Sequence, residues 1–357
     1  MNTDSKLSPM QQMTALGADW WNDSCAPSEL ADAVGFGAVG ATSNPVIVLQ
    51  AVKGQPELWM PVLDEIIAAN PSDIEDEIAW KLIARIGREA AARLHPVFEA
   101  TGGEKGFLSV QVNPKFYTNL ERMVAQAVEL AGLAPNIAIK APATETGIAA
   151  MEEMTARGIR VNATVSFSVS QALAASAAFE RGLRRAQAAG IDASSIRPYV
   201  TIMIGRVDDH LKRVATKESI ATAQGVIDWA GIAVFKHAHE IFRARGLSGT
   251  LLAAAYRHEG HWREIIGTEV LQTVPYSWWT KFNNTQQPPA LTLDQPVDRS
   301  ILNELTEKFP DFRRAYDEDG MKPAEFAAYG ASAHTLNQFI GGYSDLLALV
   351  RSRMIPV

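Results

Sequence analysis

The chain has 357 residues, 47% hydrophobic and 20% charged, with a formal net charge of -7 and a pI near 5.6. That acidic balance speaks against nucleic acid or an anionic membrane surface as the main partner, and the single cysteine, Cys25, excludes an internal disulfide. No run approaches the ~18 apolar residues of a membrane span, and the N-terminal MNTDSKLSPMQQM lacks the apolar core of a signal peptide, so a cytoplasmic protein is expected.

Short β-like runs recur along the chain, each followed by a stretch of helical character. A weaker candidate, ADWWNDS (18–24), comes first, then GAVGATS (37–43), FLSVQV (107–112) and NIAIKA (136–141). RVNATVSF (160–167), YVTIMI (199–204), TLLAAAY (250–256) and EVLQTV (269–274) complete the set. Stretches such as KFYTNLERMVAQAVELAGL repeat apolar residues every three or four positions, which predicts amphipathic helices. Strands that are apolar on both faces and joined by helices belong to a parallel sheet covered on each side. Eight such units predict an α/β fold of the (β/α)8 TIM-barrel type, with an open doubly wound sheet as the alternative. We expect a single domain, 1–357, with a helical insertion near 53–105 and a C-terminal helical extension from about 283.

In parallel barrels the chemistry collects at the C-terminal ends of the strands. The first candidate strand ends at Asp23, and the second at Thr42, Ser43 and Asn44. The third carries Gln111 and leads to Asn113; the fourth offers Lys140 and Thr144. The fifth holds Asn162, Thr164 and Ser166, the sixth Thr201 followed by Arg206, and the seventh ends with Arg257. A strand-end lysine ordinarily snorkels to solvent. Lys140, however, sits among Ile137, Ile139, Ala141 and Pro142, and desolvation of that kind disfavours the ammonium and leaves a nucleophilic amine able to form a Schiff base. Asp23 is the best placed acid/base partner, although DSCAPSEL also reads as a helix start with Asp23 as its N-cap.

Taken together, GATSNPVI, IAIKAPAT, VNATVSFS and IGRVDD resemble the transaldolase family of class I (Schiff-base) aldolases in order and spacing, from about residue 15 to 280. The resemblance implies a (β/α)8 barrel that handles sugar phosphates without metal or organic cofactor. It implies that Lys140 forms the Schiff base and that Asp23 moves the proton of the hydroxyl beside the cleaved bond. Asn44 and Asn162 would hold substrate hydroxyls, Thr164 would orient a water, and Thr42 and Thr201 would face the donor. Arg206 and Arg257 would bind phosphate, for which a guanidinium fork is suited.

Two positions depart from the family pattern. Gln111 stands where transaldolases carry a proton-relaying glutamate, as in the fructose-6-phosphate aldolase branch, and an amide positions water without taking a proton. Met203 stands where transaldolases carry phenylalanine and that aldolase branch a tyrosine. The implied activity is transfer of a dihydroxyacetone unit between sugar phosphates, with simple aldol cleavage as the first alternative and a non-catalytic sugar-phosphate binder as the second.

Other features carry less. GFGAVG (35–40) spells the dinucleotide fingerprint but follows a helical segment and enters a strand, the reverse of what that fingerprint requires. His258 and His261 in HEGH share a helix face if that segment is helical, yet no third metal ligand is evident. His237 and His239 point to nearly opposite helix faces, and WWTKF (278–282) reads as packing for the C-terminal segment. The helix-rich exterior suits a homodimer and a monomer equally.

Overall fold

Eight short parallel strands form the centre of the molecule: β1 (Asp19–Asn22), β2 (Gly40–Thr42), β3 (Phe107–Gln111), β4 (Ile137–Pro142), β5 (Val161–Thr164), β6 (Tyr199–Ile202), β7 (Thr250–Ala253) and β8 (Leu271–Val274). They are seen in a computed structural model that describes residues 7–355. The strands pair in chain order, and β8 returns to β1 to close a barrel. Every residue of β3 and β4 is buried, because helices cover the outside and side chains fill the inside. The open doubly wound alternative is thereby excluded. Seven strands fall within their expected runs, and β4 extends one residue past its run, to Pro142.

Register places the chemistry on one level. Gln111 of β3 lies opposite Lys140 of β4, which in turn lies opposite Asn162 of β5. Side chains alternate faces along a strand, so the three amide and amine groups point into the same upper layer of the barrel.

The segment expected as an insertion holds two helices, Pro56–Ala69 and Glu75–Ala100. The second buries Ile78, Ala79, Leu82, Ile83, Ile86, Ala90 and Leu94, a stripe at three- and four-residue spacing that packs on β3. It therefore serves as the barrel's own cover between β2 and β3. The C-terminal extension contains helices Arg299–Lys308, Pro310–Tyr316 and Gly330–Met354. The last of these lies across the Pro45–Gly54 helix that follows β2. It is tied to the Glu75–Ala100 helix by Tyr343, whose hydroxyl donates to Asp76 at 2.8 Å.

WWTKF forms the helix Tyr276–Phe282, which packs against the beginning of the chain rather than its end. Trp279 tilts against Trp20 of β1 at 5.6 Å and donates to Asn22 Oδ1 at 3.0 Å. Phe282 stacks on Trp262 at 4.6 Å, and Met10 and Met13 of the helix Pro9–Ala15 join the same cluster. Among the described residues no helix is long and apolar enough to cross a membrane.

Candidate active site

The C-terminal ends of the strands open into a cavity of about 520 Å³. Its walls bring together Asp23, Thr42, Asn44, Lys140, Thr164, Thr201, Met203, Arg206 and Arg257. Gln111 and Asn162 lie just beneath, 3% and 0% exposed.

Lys140 is 6% exposed, and among the described residues its amine has no ion-pair partner. Burial holds its pKa below the ordinary lysine value; the Asp23 carboxylate pulls the other way, and Arg206 adds to the depression. Asp23 shows the mirror image. Burial raises its pKa, while Lys140 and a hydrogen bond from Thr42 oppose the rise. Burial thus works against the charged form of each group, and the charge of each opposes that shift in the other.

Asp23 is not a helix N-cap: the following helix, Pro27–Gly35, starts after Ala26 with no side-chain cap. Its carboxylate instead accepts from Thr42 Oγ1 at 2.5 Å, and Thr42 lies 2.7 Å from Thr273 Oγ1 of β8. Because the Thr42 proton goes to the carboxylate, Thr273 must donate to Thr42. The Thr42 hydroxyl thus links Asp23 to Thr273 at the wall of the cavity. Thr273 was not anticipated at all. Its only sequence signal is a lone hydroxyl in the run LQTV.

Asn44 caps the Pro45–Gly54 helix, its Oδ1 accepting from the N–H groups of Val46 and Ile47 at 2.9 and 3.0 Å. That fixes the amide and leaves Nδ2 without a partner among the described residues. Asn162 is similarly engaged, accepting from Thr201 at 2.7 Å and donating to Ser109 at 3.1 Å. Thr144, the other polar residue expected at the end of β4, caps the helix Glu145–Ala156 through Gly147 N–H.

Gln111 Oε1, on the strand position opposite Lys140, and Thr164 Oγ1, in the wall of the same cavity, are buried and have no partner among the described residues. Buried polar atoms are rarely left unmatched. Gln111 Oε1 and Thr164 Oγ1 therefore remain open to a hydrogen bond from a group in the cavity. Met203, 8% exposed, gives the cavity wall a thioether and no proton.

At the cavity's outer side stand the two guanidiniums. Arg206 donates to Gln338, lies 5.8 Å from the Phe339 ring and keeps a buried Nε without a partner among the described residues. Burial and the nearby Arg257 bring its pKa down to about 10. Arg257 gives Nε and Nη2 to Asp209 at 3.0 and 2.8 Å, and Nη1 to the Tyr256 carbonyl at 2.9 Å. One N–H on each terminal nitrogen remains without a partner among the described residues, a fork of the kind that grips a tetrahedral oxyanion. Gln338, Phe339, Gly341, Gly342 and Asp345 of the helix Gly330–Met354 roof the site. Sequence reading did not assign them a role there.

A family model described as transaldolase/fructose-6-phosphate aldolase matches residues 20–328. The chain belongs to that family. Relatives named transaldolase include one from Neisseria gonorrhoeae, 33% identical over 95% of this chain and 98% of the relative. A transaldolase 1 from Streptomyces avermitilis is 35% identical over 62% of this chain, and a transaldolase from Thermobifida fusca is 35% identical over 60%. Those two matches span 59% and 61% of the relatives, less than two thirds of their length. The family match runs from Trp20 of β1 through β8 and includes the cavity residues from Asp23 to Pro275, whereas the roof helix Gly330–Met354 lies beyond it.

Proposed function

We propose that this chain transfers a dihydroxyacetone unit between sugar phosphates through a Schiff base on Lys140. The observation that carries the reading is a buried amine without an ion-pair partner, sharing one cavity with a carboxyl and two guanidiniums. Lys140 Nζ adds to the ketose carbonyl to give a carbinolamine. Thr164 and Gln111 position the water that departs and later returns. In the iminium that results, the Asp23 carboxylate takes the proton of the hydroxyl two carbons from the iminium carbon, on the far side of the bond that breaks. The C–C bond then breaks, its electrons move to the iminium to give an enamine, and the aldehyde leaves. Asn44 Nδ2 and Asn162 hold the three-carbon enamine until an acceptor aldehyde arrives. Asp23 then returns its proton to the new alkoxide, and hydrolysis frees Lys140. Arg206 and Arg257 bind the phosphate that both donor and acceptor carry.

Aldol cleavage without transfer is the second reading, favoured by Gln111, which has no proton-accepting oxygen at neutral pH. The two are separated by one experiment. Borohydride added with fructose 6-phosphate should leave a reduced three-carbon adduct on Lys140, located by peptide mass spectrometry and absent in Lys140→Met. Product that forms only when an acceptor aldehyde is present supports transfer; free dihydroxyacetone released without acceptor supports cleavage. Absence of any adduct on Lys140 with ketose donors sinks both.

A further inference from the structure

Behind the cavity wall lies a buried pair that the proposed reaction does not use. Asp208 is on the first turns of the helix Ile204–Glu218, and His261 is on the segment after β7. Both side chains are fully buried, with His261 Nε2 2.7 Å from Asp208 Oδ2. The other Asp208 oxygen accepts the Gly231 N–H at 2.9 Å. The protons of the pair follow from the second ring nitrogen. A backbone N–H only donates, and Arg257 directs its own at His261 Nδ1 from 3.1 Å. Nδ1 is therefore an acceptor, and the single proton of the neutral ring sits on Nε2, facing the carboxylate. Burial favours the same neutral ring.

His258 stands beside this pair, its ring 3.8 Å from that of His261, so Asp208 supplies the third potential metal ligand that the sequence did not reveal. The hydrogen bonds argue for a different use. Ligation through His261 Nε2 would require its proton on Nδ1, where it would meet the Arg257 N–H head on; ligating histidines instead donate from that nitrogen. His258 Nε2 lies 3.1 Å from the Asp228 carbonyl and donates to it.

We propose that Asp208 and His261 are positioning residues that fix the backbone of Arg257, and with it the guanidinium fork that receives the substrate's phosphate. The inference rests on the phosphate role of Arg257 given above. Two further ties make the helix and the segment one unit. Asp209 holds the Arg257 guanidinium, and Gly205 sits so near the strand that a Cβ there would lie 1.9 Å from the Ala255 carbonyl. Consecutive aspartates thus pin Arg257 at both ends: Asp208 at the backbone through His261, Asp209 at the side chain. Arg206 rides on the same helix, so one rigid body sets the spacing of the two arginines. A fork set in advance binds its anion without the cost of ordering it.

The test uses KM and kcat for fructose 6-phosphate and the inhibition constant of inorganic phosphate. His261→Leu keeps most of the ring's volume and removes the acceptor. It should raise both KM and the phosphate inhibition constant about tenfold, with kcat within about twofold. His261→Asn puts an amide oxygen near the place of Nδ1 and should recover most of the affinity. Asp208→Asn, close in shape, should shift the same constants several-fold, and it decides the matter if His261→Leu does not fold. Arg257→Ala calibrates the site. If it raises KM while His261→Leu, His261→Asn and Asp208→Asn all match the parent, the positioning role is overturned and the phosphate site stands. Equal damage from His261→Leu and His261→Asn, or a fall in kcat at constant KM, also overturns it. No effect of Arg257→Ala removes the phosphate reading itself.

Discussion

Thr42 donates to Asp23 at 2.5 Å and accepts from Thr273, so the hydroxyl pair stabilises the charged form of the carboxyl against a burial that raises its pKa. In the proposed reaction bond cleavage needs the carboxylate, so activity should rise as pH climbs through the Asp23 pKa. Thr42→Val removes the bond that lowers that pKa, so the acid limb of the kcat profile should move to higher pH. Thr273→Val should do the same by a smaller amount, since it acts through Thr42. The measurement is kcat against pH for the three proteins, and an unmoved acid limb in Thr42→Val would mean that Asp23 is not the proton acceptor. Arg206 supplies a second prediction. Its unpartnered Nε is buried in the cavity wall, and hydrogen bonds to charged groups are worth about 1.5–3 kcal/mol. Arg206→Ala should therefore raise KM for phosphorylated donors roughly 10- to 100-fold, with a smaller change in kcat. Equal losses with phosphorylated and unphosphorylated ketoses would place the phosphate elsewhere.

Among the elements, the roof helix Gly330–Met354 carries the sharpest test of packing. It presses so closely on the Pro45–Gly54 helix that a Cβ at Gly342 would come 2.3 Å from Val46 Cγ2. Valine is short and stiff at χ1, so the contact cannot be relieved by a swing of the side chain. Overpacking of this kind costs about 1–3 kcal/mol. Gly342→Ala should lower stability by that amount in denaturant titration and should raise KM, because Gln338 moves with the helix and lets go of Arg206. A stable variant with an unaltered KM would show that the roof takes no part in binding. The same helix shows where sequence reading reached its limit. The strands were legible because each is an apolar run bounded by helical periodicity, and Lys140 because an amine inside such a run is costly. Nothing local in QFIGGY names the partner of Gly342, Val46, which lies nearly 300 residues earlier in the chain. Thr273 and Asp208 stayed hidden for a related reason. Their roles come from neighbours across the barrel, and one hydroxyl or one carboxylate in a strand or helix looks like many others.

At the scale of the whole molecule, the site is a cost that the barrel carries. Burial holds the Lys140 pKa below its usual value and raises that of Asp23, so at neutral pH folding strips solvation from two groups that the unfolded chain would leave charged. The sign follows from linkage. The unfolded lysine binds its proton up to about pH 10.4 and the folded one releases it sooner, so the penalty is complete below the folded pKa and shrinks as pH climbs from there to the unfolded value. Above the unfolded pKa both states are neutral and the penalty vanishes. Lys140→Met fills the same space with an apolar chain, and Asp23, freed of its cationic neighbour, takes up a proton more readily. The variant should therefore be inactive and melt about 1–3 °C higher than the parent at pH 7. The gap should narrow as pH approaches 10, followed by circular dichroism or calorimetry at several pH values. A variant that melts lower at pH 7 would mean that Lys140 stabilises the barrel as a paired ammonium, and an amine held in that state has no free electron pair with which to attack a ketose.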